Sequence, residues 1–157
     1  MKLRTSMPET YTLKRSQWVP RKLEDVFEFF SRAENLQELT PPWLNFEIVE
    51  PPEELRAGAL IRYRLRVRGV PIGWVSEIRE WDPPRSFVDV QVKGPYALWH
   101  HTHRFVEERG GTRIEDEVRY ALPLGILGWV AHAVVVRRDI EKIFNFRGEK
   151  MRERFGE

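Results

Sequence analysis

Three of the four histidines of this chain fall in one short stretch, GPYALWHHTHRF, running from Gly94 to Phe105. On a β-strand alternate side chains share a face, so Trp99, His101, His103 and Phe105 point one way and His100 the other. Two imidazoles on one face suit several kinds of chemistry. As metal ligands, His101 and His103 would need a third donor, such as Asp116, Asp89 or His132, to hold zinc or iron. As acid/base groups, His101 or His103 paired with Asp116 would move protons on an enolisable or polyketide-like substrate. As cavity lining they would fix the polar end of a bound molecule. A satisfied polar network near an open end of the sheet, with no ligand, is the plain structural alternative.

The rest of the chain narrows these options. There are no cysteines, which excludes disulfides, thiolate metal sites and cysteine nucleophiles together. No nucleophile elbow, phosphate loop or cofactor fingerprint appears, so neither a cofactor nor a resident metal is expected. Arg62, Arg64, Arg66 and Arg68 alternate with apolar residues and form a row of positive charge. Such a row could hold phosphates or an anionic membrane, or form a solvated strand face with Glu77 and Arg79 among its cross-strand partners.

These residues need a scaffold, and the periodicity supplies one. TYTLKRSQWVP (10–20) reads as a first strand. In RKLEDVFEFFSRAENLQELTPP, Leu23, Val26, Phe27, Phe30, Ala33, Leu36 and Leu39 recur at helical spacing, with a break between Ser31 and Asn35. Six strands follow: 44–50, 59–69, 74–81, 86–92, 96–108 and 112–122. VPIG (70–73), DPPR, KGP and RGG serve as connections. From about 126 to 154 the apolar spacing becomes helical again, with Val130, Ala133, Val134, Ile140, Ile143, Phe144 and Met151. A sheet of this kind buries its apolar face by curving around that last helix. The 157 residues suit one domain, with residues 1–8 loosely attached.

Parity then assigns faces. Ile61, Tyr63, Leu65 and Val67 point inward, since the opposite choice would bury four arginines. Trp74, Ser76 and Ile78 form a second inward set. Ile114, Val118 and Tyr120 form a third and carry Asp116 with them. For 86–92 the pattern is ambiguous, with Val88, Val90 and Val92 competing against Phe87, Asp89 and Gln91.

The order strand–helix–helix–six strands–long helix resembles the helix-grip fold of the START and birch-pollen-allergen superfamily, also called SRPBCC. The resemblance covers nearly the whole chain. It is carried by W-x-S-x-I (74–78), DPPRSFVDVQVKGPYALWHHTHRF (82–105) and TRIEDEVRYALPLG (112–125). It implies an α+β domain whose curved antiparallel sheet of about seven strands wraps the C-terminal helix. It also implies a ligand between them: a lipid, a quinone or isoprenoid, or an aromatic polyketide-like molecule. The resemblance favours Phe87, Asp89 and Gln91 on the cavity side. The lining expected is then Tyr63, Trp74, Ser76, Asp89, Gln91, Trp99, His101, His103, Phe105, Asp116, Val118 and Tyr120, roofed by Val130 and Val134. Carriers, sensors, cyclase-, dehydrase- or hydratase-like enzymes and accessory domains share this fold, so fold alone leaves the reaction open.

Partners follow from charge and hydropathy. The balance of 26 basic and 24 acidic residues gives no case for nucleic acid. Twenty of the basic residues are Arg, a bias of heat-adapted proteins and of GC-rich genomes alike. MKLRTSMPET lacks the apolar core of a signal peptide, and the longest apolar run, ALPLGILGWVAHAVVV, is interrupted by Pro123 and His132. A cytoplasmic protein is expected, monomeric or homodimeric. The GILGWVAHAVVV segment offers a peripheral membrane contact if Trp129 and Val136 face outward.

Overall fold

The structure is a computed structural model that describes residues 9–123 and 125–157, without the side chains of 126, 128 and 129. The N-terminal segment 1–8 and the Trp129 side chain therefore lie outside the described residues. β1 (Thr10–Val19) leads into α1 (Leu23–Phe30), a 3-10 turn (Ala33–Asn35) and α2 (Leu36–Leu39). A second 3-10 turn (Pro42–Leu44) precedes β2 (Glu47–Glu50), β3 (Leu60–Val67), β4 (Val70–Asp82), β5 (Ser86–Lys93), β6 (Leu98–Glu108) and β7 (Gly111–Ala121). The strands form one antiparallel sheet in the order β1-β7-β6-β5-β4-β3-β2. The meander thus closes with β1 beside the last strand, and register shifts in β4 at Val75/Ser76 and Ile78/Glu80 add curvature.

α3 (Gly125–Ala131), a π-helical turn (His132–Val136) and α4 (Arg137–Phe155) run on from one another. Ile140 and Phe144 of α4 pack with Val118 and Tyr120 of the sheet. Met151 and Phe155 join the main core of Phe27, Phe29, Phe30, Ile61, Phe87, Phe105 and Ile114. The α+β helix grip expected from the element order is the fold observed. Among the described residues, no helix is long and apolar enough to cross a membrane.

Three local expectations are corrected. VPIG is not a connection: the turn is Arg68-Gly69, with φ of 50° and 80°, and β4 already begins at Val70. Two left-handed residues match the twist of paired strands, and glycine takes the second position without steric cost. Arg68 therefore leaves the strand row, and its guanidinium donates two hydrogen bonds to Asp139 of α4, at 3.0 and 3.1 Å. The charge partners differ too. Glu77 accepts from Arg79 on its own strand, while Arg62 pairs with Glu50 on β2 at 3.3 Å.

The third correction concerns the roof. Val130 and Val134 are 46% and 65% exposed, and Ala133 is exposed as well. The π-helical turn inserts one extra residue, which rotates everything before it by about 100° relative to α4. His132 consequently takes the inward position that an unbroken α-helix would give to Ala133, and Val130 turns to solvent.

Candidate functional site

Between the two apolar clusters lies a buried polar centre. The register sets Asp89 of β5 beside His101 of β6, and His103 of β6 beside Asp116 of β7, all on the concave face. The hydrogen bonds run diagonally. His103 Nε2 donates to Asp89 Oδ2 at 2.5 Å, and His101 Nε2 donates to Asp116 Oδ1 at 2.7 Å. The two imidazoles stack at 3.6 Å between ring centres, and Phe87 stacks on His103 at 4.0 Å.

The fifth member comes from α4. Arg147 is 7% exposed and its Nη2 donates to Asp116 Oδ1 and to His103 Nδ1, both at 3.4 Å. Its guanidinium lies over the rings of Phe30 and Phe144, which replace water on its faces. Its Nε is buried with no partner. Sequence reasoning missed Arg147, although a signal existed. Ile140, Phe144, Met151 and Phe155 form the apolar stripe of α4, and position 147 falls on that stripe.

The electrostatics follow from these contacts. Burial alone would raise the Asp116 carboxyl, but Arg147 and the His101 hydrogen bond outweigh it and hold the group well below the carboxylate range. Asp89 is likewise lowered, as its bond from His103 and the nearby His101 overcome the upward pull of burial. Burial pushes the His103 imidazole down to about 4, reinforced by His101 and opposed by Asp89 and Asp116. His103 is thus a neutral ring with its proton on Nε2 toward Asp89 and a lone pair on Nδ1 toward Arg147. A ligand hydroxyl reaches Nδ1, as hydrogen-bond donor or as proton source, only by taking the place of Arg147 there.

The donor atoms of Asp89, His101 and His103 lie within 4.8 Å of one another, as in a metal trio. Their arrangement suits a cation poorly. With both Nε2 atoms donating, the Nδ1 lone pairs point apart, that of His101 toward Asp89 at 3.8 Å and that of His103 toward Asp116 at 3.5 Å. The Nε2 proton of His103 is engaged by Asp89, and Arg147 adds positive charge behind His103. His132 takes no part: its Nε2 is 2.7 Å from the Tyr120 hydroxyl and its ring stacks on Tyr11.

The remaining expected lining divides into filler and rim. Phe105 and Val118 are core residues. Trp74 Nε1 donates to Ser76 Oγ at 3.0 Å, with the Tyr63 hydroxyl 3.3 Å from the same oxygen. Gln91 is spent on the β5–β6 turn, where its amide bonds the backbone of Tyr96 in both directions, at 2.9 and 3.0 Å. Tyr96, also missed in the sequence, joins Trp74 and Trp99 at ring distances of 4.9 to 5.6 Å. Tyr120 borders that group at 6.2 Å from both Tyr96 and Trp99. These aromatics touch one another. A cavity of about 300 Å³ opens between β1, β7 and α4, where it reaches Asp116 and Arg147, and another of about 470 Å³ borders Tyr63 and Trp74 beside Arg62, Arg64 and Lys93.

Comparison with known proteins agrees with this architecture. The family of polyketide cyclase / dehydrase and lipid transport proteins matches residues 19–144. No curated protein matches the sequence. Protein CV1439 from Chromobacterium violaceum has a similar structure, with TM-score 0.72, 10% identity, and coverage of 93% of this chain and 97% of that one. Ara h 8.0201 superposes with TM-score 0.64 and 15% identity over 94% of this chain and 98% of its own. The nucleoside-diphosphate sugar epimerase from Corynebacterium glutamicum covers 90% of this chain with only 28% of its own length, at 23% identity and TM-score 0.66. At these identities the likeness to the solved structures is one of fold. The family match runs from the end of β1 into α4, so this chain belongs to the polyketide cyclase / dehydrase and lipid transport family, as a helix-grip domain of the hydrophobic-ligand-binding kind.

Proposed function

We propose that the domain holds a small hydrophobic or amphipathic molecule (a lipid, a quinone or isoprenoid, or an aromatic polyketide-like compound) between sheet and C-terminal helix. The buried Asp89–His103–Arg147–Asp116–His101 centre fixes the polar end of that molecule. The existence of this centre is the observation that carries the reading. Five polar groups placed between two apolar clusters incur a desolvation cost that a packed apolar core of equal volume would avoid. Such a centre is therefore better explained by recognition than by stability. The aromatic group of Trp74, Tyr96 and Trp99 supplies flat surfaces suited to a ring-bearing ligand. Native mass spectrometry and organic extraction of the purified protein should give one reproducible small apolar or amphipathic molecule. A protein that emerges empty and binds no lipid, quinone or polycyclic phenol would overturn the reading.

A second reading is favoured by one feature, the neutral His103 held by Asp89. It would serve as a general base on an enolisable ligand in the same place, as a cyclase- or dehydrase-like enzyme requires. In that case His103→Ala abolishes a turnover whose rate falls as pH is lowered toward about 4, where the ring takes up its proton, while ligand binding persists.

A further inference from the structure

The cleft between β1 and α4 has chemistry that the general ligand-binding reading does not use. Arg15 stands opposite Asp116 in the β1–β7 register and therefore faces the same concave side. It meets Arg147 and Arg152 of α4 around the cavity of about 300 Å³, whose floor includes Phe144 and Met151. Among the described residues, neither Arg15 nor Arg152 has an acidic partner within ion-pair distance. Glu149, which lines the cavity with Asp116, has no basic partner within that distance among the described residues. Asp116 itself is engaged by His101 and Arg147. Arg147 brings a buried Nε with nothing to donate to. At the rim, Gln17 Nε2 donates to the Gly148 carbonyl at 3.0 Å and holds the edge strand against the helix.

Three guanidiniums around one concave space, two with no carboxylate of their own, form an acceptor-seeking surface. The apolar floor beneath sets a second requirement, since a bare anion would leave Phe144 and Met151 uncovered. We infer that this cleft receives the acidic head of an amphipathic ligand, a carboxylate or phosphate on a short aliphatic or aryl body. Arg15 and Arg152 close on the head, and Arg147 stands at the inner end. This assignment rests on the ligand-binding reading and narrows it to amphipathic acids.

Calorimetric titration of the full chain in low-salt buffer with octanoate, octanol and acetate tests it. Octanoate should bind at least about tenfold more tightly than octanol, the scale of a charge-assisted hydrogen-bond pair, and acetate should give no saturable heat. The octanoate advantage should shrink as salt is added, because the two outer arginines are solvent-accessible. Arg15→Gln with Arg152→Gln should bring octanoate down to the octanol level. Glu149→Gln, which removes the unpaired carboxylate from the rim, should strengthen octanoate binding. Equal binding of acid and alcohol would overturn the anionic assignment and leave the ligand-binding reading standing. The ligand-binding reading would still be decided by extraction and native mass spectrometry if neither bound, but that result would overturn this assignment too. Acetate binding as tightly as octanoate, or an acid preference that survives the double substitution, would also defeat it.

Discussion

His103 and Arg147 show how burial decides the behaviour of single residues. The folded chain refuses at His103 a proton that an unfolded histidine accepts near 6.5, because burial pushes this ring down to about 4. Between those values the unfolded state binds more protons, so stability rises with pH across that window and is lost as pH falls through it. His132, also lowered by burial, adds to the same slope. The lowered Asp89 and Asp116 lose their contribution further down, as pH falls below the ordinary carboxylate value of 3.8. Thermal melts should therefore show Tm falling from about pH 7 to pH 4.5. His103→Gln keeps a donor for Asp89 and should flatten that slope; an unchanged slope would mean that His103 does not cause it. Arg147→Met leaves Asp116 short of its cationic partner and should cost on the order of 3 kcal/mol in urea unfolding, with Arg147→Lys recovering part of it.

At the scale of elements, the hairpin between β6 and β7 has to meet the end of β1 closely. A side-chain carbon on Gly111 would come within 2.8 Å of the Trp18 ring and would strike the Val19 carbonyl. Trp18 Nε1 is held there by the Glu108 carbonyl at 2.7 Å, so the ring cannot easily retreat. Gly111→Ala should destabilise by about 2 kcal/mol through overpacking, read as a lower urea midpoint at constant slope. The strands also show where alternation stops being informative. On β3 the arginine row leaves one choice of face. On β5, Val88 and Val90 are buried on the convex side while Phe87 and Asp89 face the centre, so hydropathy does not separate the two faces. The neighbour on β6 made the decision, by offering His103 to Asp89.

At the scale of the whole molecule, the question is which side of the last helix closes the grip. Phe144 is buried among sheet residues, and Leu127, Val130 and Val134 lie on an exposed side of the helical run. Phe144→Ala should cost about 3–4 kcal/mol in urea unfolding. Leu127→Gln, Val130→Gln and Val134→Gln should each stay within about 0.5 kcal/mol, as solvent-facing substitutions do. A large loss from the valine substitutions would restore those residues to the roof.

The sequence by itself determined the element order, the meander and the pairing of a long helix with the sheet, because periodicity and turn residues are local signals. It also brought His101, His103 and Asp116 to one face, since parity along a strand is strict unless a bulge intervenes. Only the tertiary structure decided which carboxylate serves which imidazole, because diagonal bonds across β5, β6 and β7 depend on strand register. It alone placed Arg147 at the centre and turned Val130 away, since one extra residue in a helical turn redirects a whole face. The cavity that reaches Asp116 and Arg147 opens between β1, β7 and α4, while Trp74, Tyr96 and Trp99 pack on one another. Where side chains from distant elements meet, volume and charge complementarity decide, and neither can be read from a single segment.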